Sequence, residues 1–186
     1  MISYFTGIKT LEDREIEQAD NQLKEKFAVS CLDFVTKLNE LKLSTETLKQ
    51  MLTAVGDFRG NTFMHRVVCN AASLKPLRDA LGDDATFIEL LQVKNDVGNT
   101  PMHYAALNAA SLQALKGMLD EKQFIELLQV EGQNGLTPLG CAVSAAEPLK
   151  ALKGVLGKEE FIKQLQVKNN DGIMPMRSAI SSTAPL

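Results

Sequence analysis

The chain has 186 residues, 45% hydrophobic and 23% charged, with a net charge of −3, the size and balance of one folded domain. No apolar run approaches the roughly eighteen residues of a membrane-spanning helix, and a mildly acidic surface disfavours phosphate backbones, so neither a membrane span nor a nucleic-acid partner is expected. Cys31, Cys69 and Cys141 are odd in number and far apart, which is no disulfide framework; together with Met1-Ile2-Ser3-Tyr4-Phe5, which carries no secretory pattern, they point to reduced thiols in a cytoplasm.

In the first 55 residues, Ile16, Ala19, Leu23, Phe27, Cys31, Phe34 and Leu38 stand three or four apart. That spacing predicts one long amphipathic helix, or two with a break near residue 28, with Asp20, Lys24, Glu25 and Lys37 on the other face. Ser44 is placed to cap a further helix over 45–54 that carries Leu48 and Leu52. Residues 1–55 read as a helical cap that shields the remainder of the chain from water; the alternative is a separate interaction domain built from the acidic helix.

From residue 56 onward a phrase recurs. Gly98-Asn99-Thr100-Pro101-Met102-His103-Tyr104-Ala105-Ala106 is its fullest copy and Gly135-Leu136-Thr137-Pro138-Leu139-Gly140-Cys141-Ala142-Val143 the next. Degraded copies start at Gly60 and Gly172, so the glycines recur after 38, 37 and 37 residues. Phe-Ile-Glu-Leu-Leu-Gln-Val at 87–93 and 124–130, and Phe-Ile-Lys-Gln-Leu-Gln-Val at 161–167, sit at one fixed offset before the glycines. A period in this range signals a stack of repeats, here about 60–97, 98–134, 135–171 and a truncated 172–186.

Each repeat reads as a tight turn and two antiparallel helices. Gly98 and Gly135 suit positive φ. Thr100 and Thr137 can cap a helix whose first residue is Pro101 or Pro138. Ala105, Ala106 and Ala142 allow close approach of neighbouring first helices. Leu112, Leu115 and Leu119, repeated as Leu149, Leu152 and Leu156, give the second helix one apolar face. The residues around Phe-Ile-Glu-Leu-Leu exceed what two helices need and predict an added turn or a short third helix.

The Gly-x-Thr-Pro-Leu/Met-His-x-Ala-Ala pattern resembles the ankyrin repeat over about residues 55–186. The period departs from the family's 33 residues, and the family's Gly-His between helices is replaced by Ala109-Ala110-Ser111 and Ala146-Glu147-Pro148. This long variant is similar in style to ankyrin proteins that intracellular bacteria deliver into host cells. The resemblance implies an all-α ankyrin-like solenoid of helix pairs that binds another protein on its concave face, as a scaffold or an effector acting in the host cytoplasm. It implies a structural role for His65 and His103, five residues after their glycines: bonding the turn and linking repeats. The alternative is a targeting arm for an enzyme encoded beyond Leu186. Ala184-Pro185-Leu186 aligns with Glu147-Pro148-Leu149, so the last repeat is cut at its second helix and further chain is expected beyond it.

By register, the turn tips are Phe58 and Arg59, Asp96 and Val97, Gln133 and Asn134, and Asn170 and Asp171. Asn61, Asn99, Leu136 and Ile173 come directly after the glycines, and Asn70, Leu107, Asn108 and Ser144 end the first helices. These sixteen residues form the expected partner surface, with Phe58, Val97, Leu136 and Ile173 its apolar members. The pattern predicts a monomer without cofactor or metal, and no catalytic residue: Cys69 and His65 one helical turn apart, with Asp57 nearby, have no oxyanion site, and no phosphate cradle, zinc spacing or calcium loop occurs.

Overall fold

A computed structural model describes residues 32–38, 40, 42–53, 59–132, 135–169, 172, 174 and 175. The expected helix before residue 32 lies outside them, as do Phe58, Gln133, Asn134, Asn170, Asp171, Ile173 and the chain end from residue 176. Every regular element among the described residues is helical.

After a helical run at 32–38, Ser44 starts α1 (Thr45–Thr53), its Oγ accepting from the Thr47 amide at 3.2 Å. Leu48 and Leu52 are fully buried. The run at 32–38 turns Val35 and Leu38 inward, while Phe34, expected on the buried face, is 37% exposed and packs its ring 4.7 Å from that of Phe63. Leu38 is thus buried as expected, and Val35 rather than Phe34 is the inward residue one turn before it.

Three similar triplets of helices come next. The first holds α2 (Phe63–Val67), α3 (Ala71–Leu81) and α4 (Asp84–Gln92). The second holds α5 (Pro101–Ala105), α6 (Ala109–Met118) and α7 (Glu121–Gln129). The third holds α8 (Pro138–Val143), α9 (Ala146–Leu156) and α10 (Lys158–Gln166). The added residues of the long period thus form a complete third helix in each triplet, nine residues long.

Equivalent helices touch in order: α2 meets α5 and α5 meets α8, while α3 meets α6 and α6 meets α9. The first two third helices touch the first helix of the next triplet, α4 with α5 and α7 with α8, and α1 stands in that relation to α2. The small side chains of Ala105, Ala106 and Ala142 are fully buried where the first helices meet. Leu77, Leu115 and Leu152 are fully buried on the second helices, and Phe87, Phe124 and Phe161 are buried on the third. One contiguous core runs from Val35 to Phe161. No single helix can hide its apolar face alone, so each triplet is held by its neighbours. Leu119 departs from the expectation in part: it is buried, but it ends α6 with extended backbone rather than continuing it.

Candidate functional site: the junctions between triplets

Each junction begins at a turn closed by a hydrogen bond from a glycine amide: Gly98 to Asn95 O at 2.9 Å, Gly135 to Gly132 O at 3.3 Å and Gly172 to Asn169 O at 2.9 Å. The four phrase glycines share φ between 68° and 80°, a region that L side chains rarely adopt. At Gly60 the constraint is double, because a Cβ would also strike the side chain and amide of Asp96.

His65 and His103 stitch these turns together. The Thr62 and Thr100 amides donate to Nδ1 of the ring three residues on, at 3.1 and 3.0 Å. This is a capping box in which histidine takes the place of Glu or Gln. Since Nδ1 accepts from an amide, the proton resides on Nε2. His65 Nε2 donates to Asn99 O at 3.0 Å, and His103 Nε2 donates to Leu136 O at 2.9 Å. Each ring therefore caps its own helix and holds the residue after the next glycine. The Thr62 and Thr100 hydroxyls lie 2.9 Å from the same Nδ1; for Thr100 a cap to the backbone alone was expected. Burial lowers the pKa of His103 below the usual histidine value and keeps it neutral.

Position 140 carries glycine instead. There the Thr137 hydroxyl accepts from the Gly140 amide at 3.1 Å, an ordinary N-cap.

A buried polar cluster completes the first junction. Asn61 Oδ1 accepts from Asn95 Nδ2 at 2.7 Å and from Tyr104 Oη at 2.9 Å. The Asn95 side-chain oxygen accepts the amides of Val97 and Asn99, and the Tyr104 ring stands edge-on to His65 with centroids 5.5 Å apart. Asn95 and Tyr104 were not among the expected functional residues. The signal for them in the sequence is weak: the position three before each glycine reads Asp57, Asn95, Gly132 and Asn169, with no constant chemistry.

The expected partner surface is only partly open. Arg59, Asp96, Leu107 and Ser144 are exposed, Leu107 at 54%. Val97, Asn99 and Leu136 are half-buried. Asn61 is buried, because its carboxamide is spent inside the first junction. Asn70 and Asn108 are half-buried and cap α3 and α6, accepting from the amides of Ala72 and Ser111. Asn108 Nδ2 also donates across to Cys69 O at 3.1 Å. These three asparagines are joints of the fold rather than open contact points.

Cys69 and His65 form no reactive pair. The thiol points at the His65 carbonyl oxygen, 3.6 Å away, while the ring is held by Thr62 and Asn99. Burial raises the Cys69 thiol pKa and lifts that of Cys141 to about 11, so both are protonated at neutral pH. Among the described residues no three His, Cys, Asp or Glu side chains converge as metal ligands, and no helix is long and apolar enough to cross a membrane.

No protein-family model matches the chain, and no curated protein matches it.

Proposed function

We propose that the chain is an ankyrin-like repeat solenoid that works as a protein-interaction module. The observation that carries this reading is the repetition of one junction: a glycine turn, a Thr-x-x-His box and a cross-triplet hydrogen bond, used at His65 and again at His103. Such a device fixes the relative position of successive turns, and the described tip residues Arg59 and Asp96 are exposed. Fixed, outward-facing tips present a preorganised surface, which lowers the ordering cost of docking another protein. The charged tip residues Arg59 and Asp96 and the exposed Leu107 supply mixed polar and apolar contacts of the kind protein surfaces use. Residues 60–97, 98–134 and 135–171 are the repeats in this reading, and the helices before residue 56 close the first one. Delivery into a host cell is the setting that the long-period style suggests.

The test compares wild type with the triple variant Arg59→Ala, Asp96→Ala and Leu107→Ser in affinity capture from eukaryotic lysate. All three side chains are exposed, so helicity and melting should be unchanged. A protein retained by wild type and lost by the variant supports docking on this edge. Equal capture by both proteins would move the interaction elsewhere on the molecule.

A further inference from the structure

The third triplet lacks the ring that completes the other two, and a cavity of about 120 Å³ lies at that place. It is lined by Leu136, Thr137, Leu139, Gly140, Val167 and Asn169, among others. A dry cavity of roughly 150 Å³ accepts a benzene ring, so this one has the size of a small aromatic heterocycle. We propose that the cavity is a binding site for a neutral imidazole ring other than those of His65 and His103.

The two intact junctions show what such a ring finds. At His65 and His103 the unprotonated nitrogen accepts the amide of the threonine three residues before it, at 3.1 and 3.0 Å, and sits 2.9 Å from that threonine's hydroxyl. Thr137 offers the same amide and hydroxyl beside Gly140, and no acceptor among the described residues receives that amide. Buried Leu139 and exposed Val167 give the cavity an apolar side on which an aromatic ring can lie, and Gln129, Glu131 and Lys168 make the rest of its lining polar. The Leu136 side chain leans over Gly140, with Cδ1 2.9 Å from where a Cβ would stand. That closes the path a tethered side chain would take from position 140, but an incoming ring needs no Cβ there. The two histidines of the sequence are both engaged at their own junctions, so neither of them occupies the cavity. The ring's source is a histidine side chain of a partner protein or a free imidazole compound.

The probes are imidazole, pyrrole and N-acetylhistidine methylamide, titrated into the labelled protein at pH 8 and tracked by amide NMR shifts. Imidazole should give saturable shifts centred on Thr137 and Gly140, with a dissociation constant on the order of millimolar for so few atoms. Pyrrole has the shape and an N–H donor but no acceptor nitrogen, so it should bind far more weakly. Lowering the pH to 5, where the free ring is protonated, should abolish the imidazole shifts. Thr137→Val, which keeps the shape of the side chain and removes the hydroxyl that would face the ring, should weaken them, and the pyrrole comparison carries the test if that variant does not fold. Saturation by the histidine derivative as well as by imidazole assigns the site to a partner's side chain; saturation by imidazole alone assigns it to a free heterocycle. Equal binding of pyrrole, unsaturable shifts scattered over the surface, or unchanged imidazole binding in Thr137→Val would overturn the proposal.

Discussion

The second and third triplets share one backbone plan and differ in how their junctions are finished. In the second, His103 joins Thr100 to Leu136, Asn108 caps α6 and reaches Cys69, and Leu127 fills the third helix's inner face. In the third, the same positions carry Gly140, Ala145 and Gln164. Ala145 makes no side-chain cap. Gln164 is 3% exposed, and its burial is tolerated because both ends of its carboxamide are met: Gln129 Nε2 donates to its Oε1 at 2.6 Å, and its own Nε2 donates to Glu160. The glycine turn, the Thr-Pro start and the leucine face are enough to set the path of the chain. The polar joints are a separate layer that can be stripped from a repeat while its helices remain.

If that division is right, removing the leucine layer should hurt both triplets alike. Leu115→Ala and Leu152→Ala each empty a fully buried site on equivalent second helices. Each should lower unfolding stability by roughly 2–5 kcal/mol, measured by urea denaturation. A much smaller loss at Leu152 would mean that the third triplet is loosely packed throughout, and would break the comparison.

Removing the joint, by contrast, should hurt only the second triplet. His103→Ala leaves the Thr100 amide without its acceptor and the Leu136 carbonyl with the Gly132 amide alone, which should cost about 1–3 kcal/mol. Gly140→Ala, at the matching position, should change stability far less, because its methyl meets only a flexible leucine terminus. Equal losses at the two positions would show that the imidazole is incidental.

The same histidine predicts a pH dependence. Its folded pKa lies below the unfolded value near 6.5, so in the window between the two the unfolded chain binds a proton that the folded chain refuses. Stability should therefore be complete above about pH 6.5 and fall as the pH drops below it. Melting temperature measured from pH 7.5 to 5 should decline, and His103→Gln should flatten that decline while keeping an acceptor for the Thr100 amide. A variant as acid-sensitive as wild type would assign the effect to other groups.

Much of the path is legible in the sequence itself. The glycine spacing, Thr-Pro starts and leucine periodicity act within one repeat, through local backbone preference and helix faces, so a single sequence exposes them. The third helix was foreshadowed by a period too long for two. The surface was less legible. Asn61, Asn70 and Asn108 were placed on an open face by register, yet each is engaged by hydrogen bonds, and in two cases the partner is 34 to 43 residues away. Periodicity says which way a side chain points but not what the next repeat brings to meet it. Tyr104 and Asn95 escaped for the same reason: their bonds are made across a junction.

The smallest effect offers the sharpest separation of the two layers. Asn70, Asn108 and Ala145 each stand ten residues after their glycine, all with extended backbone before the second helix. The asparagines accept from an amide of the first turn at 3.2 and 3.1 Å; alanine has no such acceptor. Backbone dihedrals at Ala145, φ −133° and ψ 139°, are close to those at Asn108, φ −123° and ψ 114°. The geometry for a cap is thus present and only the oxygen is missing. Ala145→Asn should therefore raise stability by about 1 kcal/mol, read as a higher urea midpoint at unchanged slope. A gain would mean that the third triplet retains the backbone of its better-finished neighbour and lacks only its side chains. No gain would place the difference in the backbone itself, and the two layers would not be separable.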